Sequence, residues 1–354
     1  MRWAKFLAML PAAVLLAACG SASGQAPGAS GAAPASAAAK PSAAAPISIK
    51  YGLSGTGGAT TIFRLLNEQN IWAQEGLKVE FTQLQGDPIV YTALQAGEID
   101  FAAAGADSAV ALALKGANIR LIGVAQDRFE YHLMGGKDVR SPQDLKGKAL
   151  AVSKLGSNSD FATREALKRL GVDPSSVTIL QVGNSVARAA ALESGAVQGS
   201  IMSLDFVAGL TDRGFHDLVD MSKMDILYPF FCIGTTTSLL ESKPDLAQRF
   251  LRAVYRGIKQ FRDDPAAAQK ILSTQSNETR KEVLQAAWET YRNVFALDIT
   301  PDPKVFTELL KELSETEPRA KDAKPEVYMD QRPARQLSSS GFPQQLFGPS
   351  SAPR

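Results

Sequence analysis

One pattern in this chain recurs. Residues 86–112, GDPIVYTALQAGEIDFAAAGADSAVAL, are matched by residues 184–210, NSVARAAALESGAVQGSIMSLDFVAGL. Leu94 falls on Leu192, Gly97 on Gly195, Ile99 on Val197 and Asp107 on Asp205. Each copy reads as a polar turn, a helix, a glycine, a short strand, small residues, an aspartate and the next helix. The units before them also correspond: YGLSGTGGATTIFRLL (51–66) faces LAVSKLGSNSDFATRE (150–165), with Ser54 on Ser153 and Gly57 on Gly156. Any two βα units share a glycine-capped helix, but three successive turns in one order at near-constant spacing point to two equivalent lobes. Repeats of this length are domains, since a solenoid unit runs to roughly 20–50 residues.

From Ile47 onward, short β-like runs alternate with amphipathic helices, which predicts an α/β fold with mixed, mostly parallel sheets. Right-handed crossovers place every strand-to-helix turn at the C-terminal edge of its sheet. Two lobes with those edges facing each other enclose a cleft lined by helix N-termini, whose free N–H groups suit a small polar ligand. The residues expected in it are Ser54 and Thr56 from the first turn, then Asp87 and Asp107. The second lobe is expected to add Ser157, Asn158, Ser159, Asp160, Asn184 and Asp205.

Four aspartates in one cleft need an account. Each alone is explained by capping, because Asp is among the strongest N-cap residues. Together, like charges in a closed site are costly unless something positive compensates them. Arg64, Arg128, Arg164 and Arg188 are the protein's candidates, with Arg128 preferred because it adjoins Asp127 at a strand end. The expected solute is then a small organic molecule bearing hydrogen-bond donors: a zwitterion, an amine or an amino-substituted heterocycle rather than a bare oxyanion. Tyr91, Phe129, Tyr131, Phe161, Phe206 and Tyr228 are candidate stacking rings.

The ends of the chain have a different composition. Arg2 and Lys5 precede an apolar run from Phe6 to Ala18, which is signal-peptide length and too short for a membrane span of about 20 residues. It ends in Leu16-Ala17-Ala18-Cys19, which resembles a bacterial lipobox and implies lipidation of Cys19. Residues 19–46 are that cysteine and a tether of Ala, Ser, Pro and Gly, whose random coil would reach roughly 30 Å. Loss of residues 1–18 removes two of the 38 basic side chains and leaves them equal to the 36 acidic ones. Membrane attachment is therefore expected through lipid alone, at the periplasmic or outer face of a bacterial cell. The body divides into lobe one (47–135), lobe two (136–224) and a return to lobe one with C-terminal helices (225–335). The lobes are expected to hinge near 134–137 and 223–228, and residues 336–354 to form a loose tail.

Three segments resemble a known family: NIWAQEGLKVEF (70–81), QAGEIDFAAAG (95–105) and KDVRSPQDLKGKALAVSK (137–154). They are similar, in the family's order, to the nitrate/sulfonate/taurine and thiamine-pyrimidine-precursor group of ABC-transporter substrate-binding proteins. The resemblance covers residues 47 to about 315 and implies the two-lobe type II periplasmic-binding-protein fold. It also implies a monomer that delivers a small-molecule solute to an ABC permease and its ATPase.

Other functions find little support. No basic stripe suggests nucleic acid. Two histidines, His132 and His216, and two cysteines make neither a metal centre nor a cofactor site, and none is expected. Cys232, among Phe230, Phe231 and Ile233, is expected to be a buried inert thiol. No nucleophile elbow, P-loop or zincin motif occurs, so binding is expected rather than catalysis. The alternatives left open are a sulfonate- or nitrate-type oxyanion binder, a ligand-sensing lipoprotein outside transport, and a pyrimidine-synthesis-type enzyme.

Overall fold

The computed structural model describes residues 45–55, 57–315 and 317–348. The export signal, Cys19, nearly all of the tether and Thr56 lie outside the described residues.

Lobe one starts with β1 (Ile47–Ser54), α1 (Thr61–Glu68), β2 (Leu77–Leu84), α2 (Asp87–Gln95), β3 (Phe101–Ala104), α3 (Ala106–Leu114) and β4 (Ile119–Arg128). The chain then crosses into lobe two: β5 (Tyr131–Gly135), β6 (Ala149–Val152), α4 (Asn158–Arg169), β7 (Thr178–Gln181), α5 (Ser185–Glu193), β8 (Gly199–Ser203), α6 (Leu204–Asp212) and β9 (His216–Asp220). It returns through β10 (Leu227–Thr236), followed by α7 (Thr237–Ser242), α8 (Pro244–Asp263), α9 (Pro265–Ser276) and α10 (Lys281–Val294). Helices α11 (Thr307–Leu313), α12 (Arg332–Ser339) and α13 (Phe342–Phe347) complete it.

The repeat becomes two sheets of one design. Their strand orders are β2-β1-β3-β10-β4 and β7-β6-β8-β5-β9. In each, the first three strands are parallel and the fourth runs against its neighbours. That fourth strand is the one that has just arrived from the other lobe: β5 after the first crossing, β10 after the second. Strands β3 (FAAA) and β8 (GSIMS) are buried along their whole length, so small residues there let helices press on both faces. The stripe Leu246, Phe250, Leu251, Val254, Ile258 and Phe261 of α8 is fully inside, with Phe250 stacked on Phe101 at 4.1 Å.

Two expected boundaries shift. Residues 131–135 pair with β8 and β9, so lobe two begins at β5 and the first crossing falls at Phe129–Glu130 rather than 134–137. The alternation of Tyr131–Gly135 looks the same in either sheet; only its pairing partner decides. The second crossing lies between Asp220 and Leu227, close to where it was expected. Aromatic rings hold the crossings together: Phe129 stacks on Tyr228 at 4.3 Å, and Phe161 of α4 stacks on the same tyrosine at 4.4 Å. Residues 336–348 are not loose. Leu337 is buried and Phe342 and Phe347 pack against Tyr255, because these few apolar side chains outweigh the Ser- and Gln-rich composition around them.

Candidate functional site

The two lobes meet helix end to helix end, with a carboxylate between them. Asp87 opens α2 beside Pro88, after Gly86 in a left-handed backbone conformation. Its Oδ1 accepts the N–H of Gly105, the N-cap of α3, at 3.1 Å. Its Oδ2 accepts the N–H of Asn158, the first residue of α4 in the other lobe, also at 3.1 Å. Asp87 is 6% exposed. Around it the seam is tight: Ser108 Oγ donates to the Gly156 carbonyl at 2.9 Å, and the Asn158 amide donates to the Phe230 carbonyl. A Cβ on Gly105 would collide with the Asn158 side chain, so only glycine permits this approach. The helix-end N–H groups that were expected to meet a small polar ligand are here served by the protein's own carboxylate.

The polar knot LGSNSD ahead of α4 resolves residue by residue. Ser153, Ser157 and Ser159 form a hydroxyl cluster with Oγ separations of 2.8, 2.9 and 3.0 Å, and Ser159 also accepts the Ser153 N–H at 2.8 Å. Ser157 and Ser159 are buried and fasten the β6–α4 turn. Asp160 accepts the Gly156 N–H at 2.9 Å and the Arg164 Nε–H at 2.9 Å, so it braces the turn before α4 and pairs with an arginine, without capping a helix N–H.

A cavity of about 50 Å³ lies between the lobes. Among the expected residues, Ser54, Asp87, Asn158 and Asn184 line it. Ser157, Ser159, Asp160, Asp107 and Asp205 do not, since their side chains are spent within the protein or along the seam. Asn184 accepts the Ala187 N–H at 3.0 Å as the N-cap of α5. Arg128 is the clearest correction. It is partly exposed, pairs with Asp225 at 3.4 Å, and lines a separate groove of about 740 Å³ beside residues 293–305. Sequence adjacency to Asp127 said nothing about which side of β4's end the guanidinium leaves from.

The cavity's arginine is Arg188, 2% exposed. It donates to the carbonyls of Ile201 (3.0 Å) and Gly183 (2.8 Å) and to Ser185 Oγ (3.1 Å). These three bonds use three of its five N–H groups. Glu130 and Tyr131, at the crossing, also line the cavity, and Glu130 was not anticipated from the sequence. The signal was present: a lone acid in the apolar run Phe129-Glu130-Tyr131, and a lone cation in the small-residue helix SVARAAALE.

Asp107 and Asp205 keep their repeat relationship in three dimensions. Each is the second residue of its helix, buried, with one oxygen accepting a tyrosine hydroxyl, from Tyr228 and Tyr291 respectively. Each Oδ2 lacks a hydrogen-bond partner among the described residues. Burial pushes Asp107 up to about 8, opposed by Tyr228 and aided by Asp87. Burial likewise pushes Glu130 up to about 8, with Asp205 adding to it, and Asp205 up to about 6. Acids raised by the fold contribute stability that is complete below about pH 4, their unfolded range, and lost as pH climbs through 6 to 8. Glu278, held down to about 2 mainly by Arg280, acts oppositely and loses its contribution only below about pH 4. Thermal unfolding at constant salt should therefore give a Tm higher near pH 5 than at pH 8.5, by about 5 °C or more. An equal or higher Tm at pH 8.5 contradicts this placement of the acids.

Cys232 is fully buried, and burial raises its thiol well above the ordinary range, as expected of an inert side chain. Among the described residues, no helix is long and apolar enough to cross a membrane.

Two α/β lobes of one strand order, crossed twice by the chain and closed on a polar cavity, make this a periplasmic-binding-protein fold. The chain belongs to the NMT1/THI5-like family, whose model matches residues 64–268. A Bacillus subtilis protein named for binding aliphatic sulfonates is 29% identical over 194 residues, 54% of this chain and 58% of the relative. The match thus spans less than two thirds of that relative's length. The alkanesulfonate-binding protein SsuA of Xanthomonas axonopodis, solved with MOPS, superposes with a TM-score of 0.66 at 19% identity, covering 82% of this chain and 99% of that one. A Candida albicans protein described as having the generic periplasmic binding protein fold gives a TM-score of 0.61 at 18% identity, covering 82% and 95%.

Proposed function

We propose that this chain is the extracytoplasmic solute-binding component of an ABC importer, lipid-anchored through Cys19, which captures a small organic solute between its lobes and delivers it to a permease. We read it as binding rather than transforming its solute: the described lining is Ser, Asn, buried acids and one held arginine, a set suited to hydrogen-bonding a small molecule. The solute favoured is one that carries hydrogen-bond donors, with or without an anionic end for Arg188. The observation carrying this reading is Asp87 on the N-terminus of α4. A bare oxyanion placed at that helix end would lie against a carboxylate, whereas a donor-bearing solute would be met by acceptors. An oxyanion reading keeps one specific support, the Arg188 guanidinium in the cavity wall.

Native mass spectrometry of gently purified protein would weigh the co-purifying solute, and a thermal-shift panel would classify it. Amines, zwitterions or aminopyrimidines are expected to stabilise the protein by about 2.7 kcal/mol at 100 times their dissociation constant. Stabilisation by nitrate or alkanesulfonates, with no response to nitrogen-bearing compounds, reverses the proposed preference.

A further inference from the structure

Glu130 forms part of the cavity wall at the first crossing and is 2% exposed. Its Oε2 has no hydrogen-bond partner among the described residues. Asp205, also 2% exposed, comes from the second lobe; its Oδ1 accepts the Tyr291 hydroxyl at 3.0 Å and its Oδ2 has no partner among the described residues. The two carboxylates feel each other, and both raise the Tyr291 hydroxyl. Gly57 keeps the approach open, since a Cβ there would stand 3.7 Å from Glu130 Oε1 and press on Ser203 Oγ.

Buried carboxylate oxygens are nearly always hydrogen-bonded, so the unpartnered Glu130 Oε2 in the cavity wall calls for donors from outside. The cavity's arginine does not supply them, because Arg188 donates to Ile201, Gly183 and Ser185. No group of three or more His, Cys, Asp or Glu side chains among the described residues is placed to hold a metal ion. Two carboxylates suit a nitrogen group that carries several N–H donors and no demand for a full coordination shell.

The structure assigns Glu130, backed by Asp205, as a subsite for a cationic or amino nitrogen group of the solute. This rests on the reading of the cleft as a solute site and names the chemistry at one of its poles. Such a group would supply the charge compensation that burial denies Glu130 in the cavity wall.

The test uses matched pairs differing by one amino group: propanesulfonate with 3-aminopropanesulfonate, propionate with 3-aminopropionate, and pyrimidine with 4-aminopyrimidine. Isothermal titration of the full chain, wild type against Glu130→Gln, reads each pair's affinity ratio. In at least one pair the amino member is expected to bind about tenfold or more tighter to the wild type, the worth of a charge-assisted hydrogen bond. Glu130→Gln is expected to cut that ratio to about twofold or less. Asp205→Asn carries the same prediction should the first variant fail to fold. Equal binding of both members to the wild type, or an amino preference that survives in the folded variants, overturns the subsite while leaving a solute-binding cleft in place. Silence from every probe overturns both.

Discussion

An Asp87→Ala variant is expected to loosen the contact between its lobes and to gain affinity for sulfate and short alkanesulfonates by about tenfold or more. The carboxylate satisfies the Gly105 and Asn158 N–H groups at once, one from each lobe. Removing it strands two buried donors, at about 1–3 kcal/mol each, and the lobes can recover hydration only by parting. The same removal vacates the N-termini of α3 and α4, where partial positive charge favours an anion. In the wild type, an oxyanion about 4 Å from Asp87 would meet a repulsion of about 4 kcal/mol at an effective dielectric near 20. Small-angle scattering should show a larger radius of gyration for the empty variant, and calorimetry the gained anion affinity. If anion affinity stays flat, Asp87 is not the internal occupant of that seat.

The second large effect is expected at Arg188. Arg188→Met removes donors to two backbone carbonyls and the Ser185 hydroxyl inside the protein, leaving acceptors unpaired. A net loss of about 3 kcal/mol is expected, less than the sum of three bonds because burying the guanidinium is itself costly, as its lowered pKa indicates. For a body of this size the Tm should fall by about 6 °C or more. Affinity for solutes with a carboxylate or sulfonate end should fall by about tenfold to a hundredfold, while solutes without one lose much less. Arg188→Lys restores charge without the planar fork and should recover little of either quantity. Equal losses for anionic and non-anionic solutes would mean that Arg188 only braces the β8–α5 region.

Much of the fold was legible because it depends on short-range pattern. The repeated turn-helix-glycine-strand-Asp order became two sheets with the same strand sequence, and the apolar stripe of α8 fell where its spacing put it. Even the equivalence of Asp107 and Asp205 carried through, down to a tyrosine partner for each. The C-terminal residues were misjudged by composition, since Leu337, Phe342 and Phe347 are few but find Tyr255 and the core. The arginine was misjudged by proximity: Arg128 is next to an aspartate in sequence, whereas Arg188 points among backbone carbonyls of its own lobe.

The sequence by itself determined that there are two lobes, which turns face the cleft, and that LGSNSD builds a capped helix start. Hydrophobic period, glycine placement and cap chemistry act within a few residues, so they can be read along the chain. Tertiary structure alone decided which carboxylates serve which purpose. Asp160 turned to Gly156 and Arg164 nearby, while Asp87 reached across to Asn158 in the other lobe. Glu130 and Asp205 were left with unpartnered oxygens at the seam. That sorting depends on how two rigid lobes close on each other, and closure brings together residues that no local pattern connects.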